Sequence, residues 1–124
     1  MIARLVADYL DDPDPEMEAA WVAELDGRRV GSVYCVRRSD DVAQLRLLFV
    51  DAEARGHGAG AALVNHCIDF ARRRGYERMM LSTVSPLESA RRIYDAAGFK
   101  QTSEEPDPAF PEGTFAQEMW LDLT

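Results

Sequence analysis

The sequence predicts an α+β fold, a mixed and mostly antiparallel sheet with helices on both faces. Three observations carry this. Strand-length apolar runs between Ala20 and Val50 are joined by short turns, as in an antiparallel meander. The last of them leads through a glycine-rich loop into a helical pattern and then a further strand, so the chain must return parallel to itself. A second helical pattern and two more strands follow.

In order, Met1 to Leu10 reads as one amphipathic helix, with Ile2, Leu5, Val6, Tyr9 and Leu10 on one side. Asp11-Asp12-Pro13-Asp14-Pro15 ends it as a solvated acidic loop, because proline cannot continue a helix and aspartates favour turns. Ala20 to Leu25 is a strand, and Asp26-Gly27 is a hairpin signal. Val30 to Val36 alternates as a second strand. Ser39-Asp40-Asp41 turns the chain into a third, Val42 to Val50. Asp51 to Gly60 is a loop. From about Ala59 the pattern is helical, with Leu63, Val64, Cys67, Ile68 and Ala71 on one face, as far as Arg74 and a Gly75 cap.

Arg78 to Val84 alternates and runs parallel to the strand before the loop. Ser85 as N-cap and Pro86 in the first turn open a second helix, which runs to Ala97 and stops at Gly98. Phe99 to Ser103 is a short strand. Glu104 to Gly113 holds Pro106, Pro108 and Pro111 and reads as loop. Phe115 to Leu123 alternates, with Phe115, Gln117, Met119, Leu121 and Leu123 on one face.

Length sets the scale: 124 residues make one domain, residues 1–124, and 47% hydrophobic content fills a core. No apolar run approaches membrane-spanning length and Met1-Ile2-Ala3-Arg4 is no signal peptide, so a cytoplasmic protein without a membrane partner is expected. With 22 acidic against 14 basic residues the net charge is −8, which excludes non-specific nucleic-acid binding. Cys35 and Cys67 sit among apolar neighbours without metal-ligand spacing, so two reduced buried thiols and no metal are expected.

The chemistry concentrates at Arg55-Gly56-His57-Gly58-Ala59-Gly60. A helix start leaves backbone N–H groups unpaired at the positive end of the dipole. Gly56, Gly58 and Gly60 carry no side chain to hold a phosphate off, and Arg55 adds a charged donor. A ligand with phosphate or pyrophosphate is implied. The Gly-Lys-Ser/Thr ending of a P-loop is absent, since Gly60 is followed by Ala61-Ala62. A dinucleotide fingerprint matches formally at Gly56, Gly58 and Ala61, but it comes after a meander and not parallel βαβ units.

Arg55 to Gly60 resembles the R/Q-x-x-G-x-G/A motif of the GNAT N-acetyltransferases. Ala90-Arg91-Arg92-Ile93-Tyr94-Asp95-Ala96-Ala97-Gly98-Phe99 looks like that family's A-x-x-x-Y-x-x-x-G-F. The resemblance covers roughly Trp21 to the C-terminus. Gln44 to Leu48 is similar to the acetyltransferase domains behind MarR-type DNA-binding domains. The family fold begins with a strand and then one or two helices, so a chain that opens on a helix reads as lacking the first strand. That would leave an edge for a second copy to pair with.

What the resemblance implies is acetyl-CoA as co-substrate and transfer to a primary amine, on a small molecule or a protein, by direct attack in a ternary complex. Leu48, Phe49 and Val50 would pair through their main chain with the pantetheine arm. Backbone groups of Arg55, Gly56, His57, Gly58, Ala59, Gly60 and Ala61 would hold the pyrophosphate, with the His57 side chain facing solvent. Tyr94 matches the tyrosine that protonates the departing thiolate; packing on its helix face is the other reading. The general base has no clear residue. Gln44 and Arg46 stand where many members place a glutamate, and Leu87 replaces a common asparagine. Glu24 is the substitute, against a plain solvent-facing strand residue. Trp21, Trp120 and Phe115 line an acceptor cavity or pack within the sheet. The negative net charge favours a cationic acceptor such as a polyamine. Against catalysis stands a non-catalytic acetyl-CoA sensor or regulatory domain.

Overall fold

The computed structural model describes residues 2–5, 17–51, 58–84, 88–106 and 115–124. Within them the chain forms β1 (Ile2–Leu5), β2 (Ala19–Leu25), β3 (Arg28–Arg37), β4 (Val42–Val50), α1 (Ala59–Arg73), β5 (Arg78–Val84), α2 (Glu88–Ala97), β6 (Lys100–Pro106) and β7 (Phe115–Asp122). The strands make one seven-stranded sheet in the order β1-β2-β3-β4-β5-β7-β6. Only β4 and β5 pair in parallel; the rest is antiparallel. The fold class expected from the sequence is therefore the one observed.

The N-terminus differs. Residues 2–5 are not helical: Ile2 pairs with Glu24 and Leu5 with Trp21, giving a short first strand where none is expected from the sequence. The apolar spacing of that stretch suits a helix, but pairing along the β2 edge overrides a local preference. The rest of the expected helix, with Asp11 to Pro15, lies outside the described residues. The two described helices touch each other, and α1 lies over β2, β3 and β4.

The other boundaries hold closely where the chain is described; Ser85 and Pro86, expected to open the second helix, and residues 107–113 of the expected loop lie outside the described residues. Asp26 (φ 52) and Gly27 (φ 80) make the β2–β3 turn with both residues left-handed, as a two-residue hairpin requires. After α1, the Tyr76 N–H reaches back to the Ala71 carbonyl at 3.1 Å across Gly75 (φ 86). After α2, the Phe99 N–H bonds the Tyr94 carbonyl at 3.0 Å across Gly98 (φ 103). Glu104 to Pro106, expected as loop, belong to β6 instead, and Pro106 pairs with Phe115. Pro106 is the last residue of β6, and β6 is the sheet's edge strand, the place in a sheet where proline is tolerated.

The core lies between the sheet and the helices. Leu63, Val64, Cys67, Ile68 and Ala71 of α1 are buried against Trp21, Ala23, Val33, Cys35, Leu45, Met79, Leu81 and Met119. Both cysteines are free and buried. Burial pushes the Cys67 thiol well above its ordinary value, and the neighbouring Cys35 raises it further. Gln117 is a buried polar residue on the inner face of β7. It accepts from Arg91 Nη1 at 2.9 Å and donates to Glu104 Oε1 at 3.3 Å.

Gly31 lets β3 lie close to β4 and α1. A Cβ there would stand 2.8 Å from the Phe49 carbonyl oxygen and 3.1 Å from Leu63 Cδ1. The first obstacle is backbone, which cannot step aside. Gly31→Ala is expected to destabilise the chain by about 1–3 kcal/mol, read as a lower denaturant midpoint with unchanged slope. An unchanged midpoint would contradict this packing.

Candidate active site

The parallel pair β4–β5 opens along its length. Val42 pairs with Arg78, Ala43 with Met79 and Gln44 with Met80; there the pairing stops. β4 stays with β3 as far as Val50–Gly31, and β5 stays with β7 as far as Val84–Ala116. The cause lies in β4. Between the pairs Ser32–Phe49 and Tyr34–Arg46, β3 advances two residues while β4 advances three. An extra residue in one strand is a bulge, which bends the strand and increases its twist. Past Gln44 and Met80, the facing edges of β4 and β5 thus have no strand partner among the described residues. Such an edge can pair with an extended ligand. Leu48, Phe49 and Val50 lie on it. Leu48 and Val50 pack toward the core, whereas Phe49 turns the other way and is 59% exposed.

At the far end of β4 stands the start of α1. Gly58 is its N-cap, left-handed at φ 76 and ψ 14, with no side-chain cap and no acid in the first turn. The Ala62 N–H bonds the Gly58 carbonyl at 3.0 Å. The N–H groups of Ala59, Gly60 and Ala61 therefore have no partner within the helix. Most helix starts carry Asp, Ser or Thr; a bare start keeps both the donors and the dipole for an external anion. Gly58 has open space around its Cα. Gly60 is different: a Cβ there would lie 2.5 Å from Ile93 Cδ1 and 3.4 Å from Val50 Cγ2. Its missing side chain lets α1 seat against β4 and α2. Arg55, Gly56 and His57 lie outside the described residues.

The Gly60–Ile93 approach brings α2 beside the first turn of α1, and Tyr94 is the next residue. Its ring is 6% exposed and meets Phe99 edge-on, with centroids 6.0 Å apart. Its hydroxyl has no protein partner among the described residues, yet no buried side-chain oxygen or nitrogen among them lacks one. The ring is therefore packed while the oxygen keeps contact with solvent. Burial, with a smaller contribution from Cys67, pushes the phenol up to about 12. Raising a phenol's pKa keeps it protonated, so Tyr94 is neutral throughout the range in which an amine is partly deprotonated. No alkaline fall in kcat below about pH 10 should then be traceable to Tyr94. A fall there that vanishes in Tyr94→Phe would contradict this.

Glu24 is not brought to this place. It pairs with Arg29 beside the β2–β3 turn, and β3 stands between it and β4, roughly 10 Å of sheet. That is too far for direct proton transfer. Trp21 packs edge-on against Phe70 at 5.4 Å, and Trp120 lies under Arg78 at 5.0 Å. Phe115 pairs with Pro106 at the outer strands.

One feature had no sequence signal. On the sheet face away from α1, Ala20, Val22, Ser32, Tyr34 and Phe49 surround an open depression of about 150 Å³, with Arg29 at its rim. These residues look like ordinary alternating strand positions; the register and the β4 bulge gather them. His, Cys, Asp and Glu form no group able to hold a metal among the described residues.

A family model described as the acetyltransferase (GNAT) family matches residues 3–99. The chain is 35% identical over 98 residues to N-acetylaspartate synthetase of Danio rerio, covering 78% of this chain and 35% of that one. It is 38% identical over 89 residues to N-acetyltransferase 8 of Homo sapiens, covering 68% and 39%. It thus spans between a third and two fifths of these curated relatives. In fold it is similar to yncA of Salmonella typhimurium, solved with its cofactor acetyl-CoA (TM-score 0.77, 24% identity, 89% of this chain and 67% of that one). It is also similar to the IAA acetyltransferase of Bacillus cereus (TM-score 0.81, 15% identity, 98% of each).

Proposed function

The chain belongs to the acetyltransferase (GNAT) family, and from that premise we propose that it is an acetyl-CoA-dependent N-acetyltransferase acting on a primary amine. The observation that carries the proposal is the parting of β4 and β5 beyond Gln44 and Met80, with the bare helix start at Gly58 beyond it. An extended arm with a diphosphate at one end fits that pair of features. The free edge of Leu48, Phe49 and Val50 would hold the arm. The N–H groups of Ala59, Gly60 and Ala61, with Arg55, Gly56 and His57 before them, would hold the diphosphate.

Acetyl-CoA supplies the activated acetyl group as a thioester. The amine nitrogen attacks the carbonyl carbon, a C–N bond forms, the C–S bond breaks, and the amine's proton leaves to water. The departing sulfur must gain a proton. Tyr94 arrives protonated, with its hydroxyl reaching solvent; it suits that role as a hydrogen-bond and proton donor, and its phenolate then takes a proton back from water. Cys35 and Cys67 are sealed in the core, which favours direct transfer over an acyl-enzyme.

The same proposal includes a cytoplasmic setting, a single domain over residues 1–124, and a second copy pairing along an exposed sheet edge. It also includes kinship with the domains behind MarR-type DNA-binding domains. Among the described residues no helix is long and apolar enough to cross a membrane. The test is initial-rate kinetics with acetyl-CoA and an amine panel. Intersecting double-reciprocal lines are expected for a ternary complex; parallel lines would contradict direct transfer.

A further inference from the structure

The sheet face away from α1 bears on which amine is accepted, an inference that rests on the transferase reading. Leu45 is buried under α1, so Arg46 beside it projects to the opposite face. Arg46 is exposed and stands directly across from Tyr34, one wall of the depression. It lies just past Gln44, where β4 and β5 begin to part. Arg38 reaches the same strip from the β3–β4 turn, with Nη1 3.5 Å from the sulfur of Met80, the residue paired with Gln44.

Several carboxylates near this strip are engaged elsewhere, while the exposed Asp41 follows in the β3–β4 turn. Asp40 is bound by Arg37, whose backbone N–H donates to Glu18 at 3.0 Å. Asp122 accepts from Thr124 at 2.7 Å, and Glu118 accepts from the Trp120 indole at 2.6 Å. Arg78, a third cation here, is spread over the Trp120 ring. Neither Arg46 nor Arg38 has a carboxylate partner among the described residues, in a chain where acids outnumber bases 22 to 14.

We propose that Arg46 and Arg38 bind a carboxylate of the acceptor. The substrate is then an amine that also carries a carboxylate, such as an α-amino acid. The guanidinium fork matches a carboxylate with two parallel N–H···O bonds, which holds the acceptor by its acid group. This local field opposes the negative net charge. A polyamine attracted by the whole molecule would be repelled at the mouth of the cleft.

The experiment takes L-leucine and L-glutamate against 3-methylbutylamine, which is leucine without its carboxylate, and spermidine. Each is assayed with acetyl-CoA and also titrated calorimetrically into the protein with CoA present. The amino acids should be preferred. Arg46→Ala should raise their KM and Kd roughly ten- to a hundredfold, with kcat and the acetyl-CoA KM nearly unchanged, and Arg46→Lys should recover part of the loss. Preference for 3-methylbutylamine or spermidine would overturn the proposal. So would an Arg46→Ala loss equal for all acceptors, the mark of an arginine paired with the chain's own acids. Carboxylate binding that depends on Arg46 but leads to no transfer would retain this site and sink the transferase reading alone.

Discussion

Gly58→Glu is expected to abolish measurable acetyl-CoA binding in a chain that still folds. Two effects act at one atom. Gly58 holds φ 76, where a Cβ costs about 1–2 kcal/mol. The new carboxylate also stands at the positive end of α1, beside N–H groups with no partner in the helix, and fills the place meant for an anion. Its charge then opposes a second anion. Together these should raise Kd at least a hundredfold, about 2.7 kcal/mol. Gly58→Ala separates the causes, because it carries the same backbone strain and no charge. It should stay within about tenfold of wild type. Since open space surrounds the Gly58 Cα, neither variant disturbs the core, and circular dichroism should be unchanged. Equal binding by wild type and Gly58→Glu would remove the diphosphate from this helix start.

Tyr94→Phe should lower kcat by about 10² to 10³ while acetyl-CoA Kd stays within about twofold. The loss falls on the chemical step because the hydroxyl has no protein partner among the described residues, so removing it leaves none of their polar groups orphaned. The ring remains against Phe99, and the stability of the chain should hardly move. Burial keeps the phenol protonated, its pKa pushed up to about 12, so the variant loses a donor that was present at every working pH. If Tyr94 were only a packing residue, kcat would be unchanged. Ile93 must be left intact in this comparison, because its Cδ1 sits where a Gly60 side chain would be.

The strands and helices from Ala20 to Ala97 were legible because their apolar periodicity, turn residues and caps agree, as at Asp26-Gly27, Gly75 and Gly98. Residues 2–5 misled because a strand edge is decided by its partner, here β2, and not by local spacing. Glu104 to Pro106 misled because prolines mark loops only away from edge strands. At the candidate site, the glycine motif and Tyr94 could be read as a pattern, but the reasons for the glycines could not. Gly58 is needed for its dihedral, while Gly60 is needed for its approach to Ile93 and Val50. The β4 bulge has no sequence mark, yet it lies where β4 parts from β5, with Phe49 turned outward and Arg46 across from Tyr34 at the wall of the depression. Arg46 was visible only as the wrong residue for a base, and Arg38 not at all. That β3 stands between Glu24 and the cleft, leaving only a route through water, is visible in the sheet order alone.

The central claim is acetyl transfer from acetyl-CoA to an amine by this chain. Mass-spectrometric detection of the N-acetylated amine tests it most directly, after incubating the purified protein with acetyl-CoA and the four-amine panel, with Tyr94→Phe alongside. Wild type is expected to form an N-acetylated product, and the variant to form it at least a hundredfold more slowly. A folded wild type that binds acetyl-CoA and acetylates none of these amines faster than buffer would contradict the claim, and would leave a cofactor-binding domain in its place.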